Sequence, residues 1–254
     1  MKTKKSRNVL ITGSSRGIGF GIAKAFTKYG DNVMINCLTD EQRLQEAIDE
    51  LRAENVNENE KNPLVYGLRA DVSDYEDCKK LVQFTDERLG KIDVLINNAG
   101  KEYTGLFQDM RPEAVQDVLN ANLLPVMYPT LLVLPSMIKA KSGVIVNISS
   151  IWGVSGASCE AVYSAAKAGV ISFTKSLAKE LGPSSIRVNT LACGAFDTRM
   201  NEHLSVNEKE MFLTDIPLGR LGQPLEVGAI AVFLASDEAG YITGQVINID
   251  GGYL

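Results

Sequence analysis

The 254-residue chain is 45% hydrophobic and 22% charged, ordinary proportions for a globular protein with a large core, and its length allows one α/β domain or two smaller ones. A formal net charge of −5 and a pI near 5.1 give no basic excess that would argue for nucleic acid. Cysteines at 37, 78, 159 and 193 form no close pair and His203 is the only histidine, so a Cys/His zinc cluster is hard to build and no metal is expected.

The start, MKTKKSRNVLIT, is basic and then apolar, but its apolar run of about five residues is too short for a signal sequence or a membrane span. NVLIT (8–12) reads as a strand and GIGFGIAKAFTKYG (17–30) as a helix stopped by glycine. NVMINC (32–37) is a strand, DEQRLQEAIDELRAE (40–54) a charged helix, and ENVNENEKN (54–62) an exposed loop. LVYGLRADV (64–72) reads as a strand, YEDCKKLVQFTDERLG (75–90) as a helix and IDVLINNAG (92–100) as a strand and turn. A long helical region covers about 111–140. Its most hydrophobic part, VMYPTLLVLPSMI (126–138), carries two prolines and is short, which favours a buried helix over a membrane helix. Then come strand GVIVNISS (143–150), helix 161–181, strand IRVNTLA (186–192), a lid-like region, helix 224–235 and strand QVINID (245–250).

Strands alternating with helices, and strands apolar along nearly their whole length, imply a parallel sheet covered on both faces. With no linker and no repeat, the expectation is one doubly wound α/β domain over 1–254, its site at the carboxyl ends of the strands.

TGSSRGIG (12–19) follows the first strand and opens the first helix. Glycine permits a tight turn and close approach of a phosphate, and the helix amino terminus offers free N–H groups. Alone the motif is only a glycine-rich turn; at the first strand–helix junction it favours a dinucleotide. An acid at the end of the second strand would bind a ribose hydroxyl and repel a 2′-phosphate. That position falls on Cys37 or Leu38, and Asp40 reads as the cap of the next helix. With Arg16 inside the loop, the pattern favours NADP(H) over NAD(H), the alternative for Arg16 being a surface ion pair.

Eight segments in order resemble the short-chain dehydrogenase/reductase family: TGSSRGIG (12–19), ADV (70–72), NNAG (97–100), NAN (120–122), IVNISS (145–150), YSAAK (163–167), RVNTLACG (187–194) and ITGQVINIDGG (242–252). IPLGRLGQPLEV (216–227) is most similar to the 3-oxoacyl-[acyl-carrier-protein] reductases within it. The resemblance implies a Rossmann-type sheet of about seven strands and a homotetramer; the scattered cysteines fit a reducing, cytoplasmic location, and charge and hydropathy argue for no nucleic-acid or membrane partner. It implies Tyr163 as proton donor, Lys167 as its partner, Ser150 (rather than Ser149) on the substrate carbonyl, and Asn122 holding a water. For the cofactor it implies Gly13, Ser15, Arg16, Gly17, Ile18 and Gly19 at the phosphates, Asp71 and Val72 at the adenine, and Asn98, Ala99 and Gly100 along the cofactor path. Gly194 and Thr198 would lie near the nicotinamide and phosphates, with a substrate lid over 195–216.

Two departures matter. Cys193 stands where the family usually has proline, so the loop after the sixth strand is expected to be looser. Carrier proteins are acidic, and Lys139 and Lys141 supply one expected basic site. The second falls near Ser184, and Arg187 lies in a strand.

The chemistry explains the YSAAK spacing. Residues 163 and 167 share a helix face. Free tyrosine titrates near pKa ~10, and bringing it to about 7 takes roughly 4 kcal/mol, more than the ~1 kcal/mol of an exposed charge pair. Lys167 is therefore expected to act in a desolvated site beside the nicotinamide, with Ala165 and Ala166 keeping the helix slim there. The substrate is read as a 3-oxoacyl thioester on carrier protein. The alternatives are another ketone or alcohol, such as a sugar, steroid or small metabolite, and a non-catalytic cofactor-binding regulator.

Overall fold

The computed structural model describes residues 6–54, 62–198 and 213–254. Seven parallel strands run in the order β3-β2-β1-β4-β5-β6-β7. They are β1 (Asn8–Ile11), β2 (Asn32–Cys37), β3 (Val65–Arg69), β4 (Val94–Asn97), β5 (Gly143–Ser150), β6 (Ile186–Cys193) and β7 (Val246–Ile249). The helices α1 (Gly17–Lys28), α2 (Glu41–Ala53) and α7 (Pro224–Leu234) cover one face; α3 (Tyr75–Leu89), α4 (Pro112–Ala140) and α6 (Ala161–Leu181) cover the other. A single turn, α5 (Trp152–Ser155), links β5 to α6.

The two cores follow from strand alternation. Val9 and Ile11 enter the α1/α2/α7 core, and Leu10 between them enters the α3/α4/α6 core. In β4, Val94 and Ile96 join the first and Leu95 the second. Burial on both sides is why these strands read as continuous apolar runs. The chain leaves β1 for β2 on one side and returns to β4 on the other, so a crevice opens between their carboxyl ends, the switch point where such sheets hold ligands.

By length and composition alone, α4 would suffice to cross a membrane. Yet Val118, Asn122, Val126, Thr130, Val133 and Met137 are buried on one face of it, the helical spacing of a core helix. Three prolines, Pro125, Pro129 and Pro135, lie within it.

At the amino end of the sheet two arginines are fully engaged. Arg7 donates through Nε and Nη2 to the buried Asp31 carboxylate at 3.1 and 2.5 Å, and through Nη1 to Ala235 O at 2.6 Å. Arg187 donates to Leu234 O at 2.6 Å and Ser236 O at 2.9 Å. Both cap the carboxyl end of α7, where free carbonyls and the helix dipole attract a cation.

Candidate active site

The glycine loop is locked to the β4 turn. Gly13 has φ +60°, and a Cβ there would lie 2.8 Å from Ala99 Cα, so only glycine fits. Thr12 Oγ1 accepts from the N–H groups of Asn98 and Ala99, both at 3.1 Å. Asn98 Nδ2 donates to Gly13 O at 2.8 Å and Thr12 O at 3.0 Å. Ser15 is buried and Ile18 is partly buried. Arg16 is the N-cap of α1 but makes no side-chain cap, and no acid stands in the first turn. Among the described residues the amino-terminal N–H groups of α1 therefore have no side-chain acceptor, which suits a phosphate. Thr198 Cγ2 would be 3.7 Å from a Cβ on Gly17, so the loop after β6 closes against this cradle.

At the expected adenosine end, Asp71 and Val72 lie in the turn after β3. Asp71 accepts from Ser73 N at 2.8 Å and Ser73 Oγ at 2.6 Å, so its carboxylate serves its own turn. Val72 is 5% exposed and belongs to the core. Asp40 caps α2, accepting from Arg43 N at 3.0 Å, and also pairs with the Arg16 guanidinium. The surface ion pair and the helix cap are thus one arrangement.

Four side chains converge beyond the ends of β4 and β5. Tyr163 and Lys167 lie one turn apart on α6, with Lys167 Nζ 5.7 Å from the Tyr163 ring centroid. Ser150, at the end of β5, lies beside the Tyr163 hydroxyl and its hydroxyl favours the phenolate. Lys167 Nζ donates to Ile148 O at 3.2 Å. Asn122, fully buried in α4, donates to Lys101 O at 2.8 Å and Val118 O at 2.9 Å and accepts from Lys101 N at 3.2 Å. Gly100 is where they meet: a Cβ there would lie 2.8 Å from Asn122 Oδ1 and 3.2 Å from Lys167 Nζ. Ser149 donates to Lys167 O at 2.9 Å, a bond that anchors the helix and leaves Ser150 as the serine at the tyrosine. Ala166 is fully buried, whereas Ala165 is on the exposed side of α6, so only one alanine lies against the sheet.

Burial dominates the electrostatics. It lowers Lys167 from its usual range to about 8, and among the described residues no carboxylate pairs with it. Burial pushes Tyr163 above its ordinary value; Glu160, Glu102 and Cys193 push the same way, and the Ser150 bond pulls down. Glu160, just before α6, is raised to about 7 by burial and by Glu102.

The start of the loop after β6 is hydrogen-bonded to the sheet. Cys193 ends β6 and is 5% exposed; its carbonyl accepts from Ile151 N at 3.0 Å, and Gly194 N donates to Ile249 O at 2.9 Å. Burial drives the Cys193 thiol up to about 12, against the pull of Lys167, so it stays protonated. Of the expected lid, 199–212 lie outside the described residues, as do His203 and residues 55–61 of the expected loop. Arg187 caps α7, and exposed Lys139 and Lys141 stand at the amino end of β5. Seven rises of ~3.3 Å put that end roughly 23 Å from Ser150.

Sequence reading missed Thr12, Asn36, Glu102 and Glu160. Asn36 Oδ1 accepts from Gly13 N at 3.2 Å while its Nδ2 donates to Leu68 O and Ala70 O, both at 3.1 Å, tying β1, β2 and β3 together. Its only sequence signal is an amide inside an apolar strand.

This assembly has close relatives. Residues 13–254 match the family model described as enoyl-(acyl carrier protein) reductase. The chain belongs to the short-chain dehydrogenase/reductase family. It is 42% identical to a 3-oxoacyl-[acyl-carrier-protein] reductase FabG of Chlamydia muridarum over 247 residues, 97% of each chain. It is 42% identical to one from Thermotoga maritima over 244 residues, 96% of each. It is 39% identical over 253 residues to an uncharacterized oxidoreductase YmfI of Bacillus subtilis, 98% of this chain and 99% of that one. As a member of the short-chain dehydrogenase/reductase family the chain is an oxidoreductase that uses a nicotinamide cofactor.

Proposed function

We propose that the protein reduces the ketone of a 3-oxoacyl thioester on acyl carrier protein to a secondary alcohol with NADPH. The observation that carries the reaction is the convergence of Ser150, Tyr163, Lys167 and Asn122 at the switch-point crevice. The residues fit the cofactor: the uncapped amino terminus of α1 and Gly13–Gly19 would hold the pyrophosphate, with Asn98–Gly100, Gly194 and Thr198 also contacting it. The bound nicotinamide supplies the hydride.

The side chains do the rest. Ser150 holds the substrate carbonyl. Tyr163, beside Ser150, donates the proton to the developing alkoxide. Lys167 keeps a positive charge in a water-poor site, where it favours the tyrosinate left behind. Asn122, fixed by three hydrogen bonds, holds the water that returns a proton through Lys167.

NADPH rests on Arg16 in the loop and on the lack of an acid at Cys37 and Leu38. A 2′-phosphate would take Arg16 from Asp40. Arg16→Ala should therefore weaken NADPH much more than NADH, and equal losses would reject this part. The acyl-carrier substrate rests on the FabG relatives. A single catalytic domain, a lid over 195–216, a cytoplasmic location and a homotetramer belong to the same proposal. Exposed Leu131, Ile138 and Val154 on α4 and α5 suit such an assembly, and light scattering tests it.

A second reading keeps the chemistry and changes the ketone. Glu102 and Glu160 place negative charge beside Tyr163, and Lys139 and Lys141 stand at the far end of β5, both poorly suited to an acidic carrier at this mouth. Acetoacetyl thioesters assayed with both cofactors, beside a panel of sugar, steroid and small ketones, decide. Absence of thioester turnover would sink the first reading. Tyr163→Phe should abolish turnover with NADPH affinity kept within a few-fold.

A further inference from the structure

One rung of the sheet beneath the Tyr163–Lys167 pair is polar where its neighbour is apolar. Asn97 of β4 stands beside Asn147 of β5, and Asn147 beside Thr190 of β6, in the parallel register. Two residues earlier the same strands carry Leu95, Ile145 and Val188. Asn97, Asn147, Thr190 and Thr174 of α6 are all 0% exposed, and Thr130 of α4 is 1% exposed.

Hydrogen bonds join the five into one chain. Asn97 Nδ2 donates to Asn147 Oδ1 at 2.8 Å and to Thr130 Oγ1 at 2.9 Å. Asn147 Nδ2 donates to Thr174 Oγ1 at 2.8 Å, and Thr190 Oγ1 donates to the same oxygen at 2.8 Å. Thr174 and Thr130 donate in turn to the helix carbonyls Val170 O at 2.9 Å and Val126 O at 2.6 Å. A hydroxyl has one proton and two acceptor positions, and Thr174 uses all three. Among the described residues Asn97 Oδ1 is the one side-chain acceptor of these two asparagines left without a donor.

The rung grips both helices that carry the site. Thr174 lies seven residues beyond Lys167 on the buried face of α6, and Thr130 eight residues beyond Asn122 on the buried face of α4. Apolar contact between helix and sheet is non-directional and tolerates sliding, whereas hydrogen bonds near 2.8 Å fix distance and direction. Catalytic geometry is sensitive to shifts of about 1 Å.

We propose that this rung sets the depth and axial position of α4 and α6 on the sheet, with Thr174 the positioning residue that holds Tyr163 and Lys167 opposite Ser150. The proposal rests on Tyr163 and Lys167 being the catalytic pair.

Two variants of Thr174 separate positioning from packing. Thr174→Val keeps the shape, removes the hydroxyl and leaves two buried donors without an acceptor. Thr174→Ser keeps the hydroxyl and loses a methyl group. Thr174→Val should lower kcat by on the order of ten-fold or more, with the NADPH dissociation constant changed less than about three-fold. Thr174→Ser should keep kcat within about two-fold while losing thermal stability through packing. Wild-type kcat in Thr174→Val, or equal kcat losses in the two variants, would overturn the proposal. Should Thr174→Val fail to fold, Thr130→Val decides. It orphans one donor, and a kcat loss of about three-fold at unchanged NADPH affinity is expected; wild-type kcat would overturn the proposal. Tyr163→Phe in the same series distinguishes the two failures. If it retains activity, the catalytic assignment is wrong; if it is inactive while the threonine variants behave as wild type, only the positioning role is lost.

Discussion

The two ends of the sheet treat buried cations in opposite ways. At the amino end, Arg7 meets a buried carboxylate and a helix carbonyl, and Arg187 meets two more helix carbonyls. At the carboxyl end, Lys167 has the Ile148 carbonyl and the face of Tyr163. Arg7 is held where a carboxylate answers its charge; Arg187 is lowered by burial and by Arg7, but both of its terminal nitrogens are spent on helix carbonyls and contribute to the fold. Lys167 carries a charge that folding disfavours, seen in its fall to about 8, and such a group answers to whatever enters the site.

The largest expected effect tests that contrast directly. Lys167→Met should lower kcat by roughly a hundred-fold or more, on the general acid–base scale, yet leave the fold as stable or more so. The downward shift from 10.5 to about 8 corresponds to a penalty on the order of 3 kcal/mol while the lysine is charged. The sign follows from proton binding. Between about pH 8 and 10.5 the unfolded chain holds a proton here that the folded chain has released, so wild-type stability rises with pH across that window. Denaturant titrations should show the rise in the wild type and not in Lys167→Met. A large loss of stability in the variant at pH 7 would break the comparison.

Asp31→Ala is the counterpart at the other end. It leaves Arg7 partly buried without its carboxylate, and the expected loss is about 3 kcal/mol of unfolding free energy. The kcat of the remaining folded enzyme should be unchanged. Arg187→Met comes next, at about 1–2 kcal/mol, because it strips the donors from Leu234 O and Ser236 O at a helix end that keeps some access to water. Urea unfolding beside active-site titration separates stability from activity in both variants.

The same contrast marks what could be read in the sequence. Strands and helices came within a few residues because periodicity and glycine stops are local signals; β5 and α6 match their expected bounds. The site pattern was legible through YSAAK and the glycine loop. Partnerships across the fold were not. Nothing near Arg7 or Arg187 in the sequence names Asp31 or the end of α7, and Arg187 reads only as a strand residue. The amide of Asn36 and the hydroxyl of Thr12 read as interruptions of apolar runs, and α5, a single turn, carries no period. The bonds around Cys193 were equally hidden: its carbonyl accepts from Ile151 N, and the next residue, Gly194, donates to Ile249 O, partners distant in sequence.

Glu160 offers the smallest effect and the finest test of the carboxyl end. Burial and Glu102 raise it to about 7, so the folded chain binds more protons than the unfolded chain between about pH 4.5 and 7. Stability therefore falls as pH rises through that window, and Glu160→Gln should remove most of the slope. The ionised carboxylate also raises Tyr163, one turn along α6. Its removal should let the tyrosine lose its proton at lower pH. Reduction needs the protonated phenol, so the alkaline decline of kcat should move to lower pH in Glu160→Gln, by less than about one unit for a partly exposed charge. An unmoved decline would mean that the rate follows a proton on which the Glu160 charge does not act, and would assign the titration at this end of the sheet to Lys167, whose shift comes from burial and Cys193.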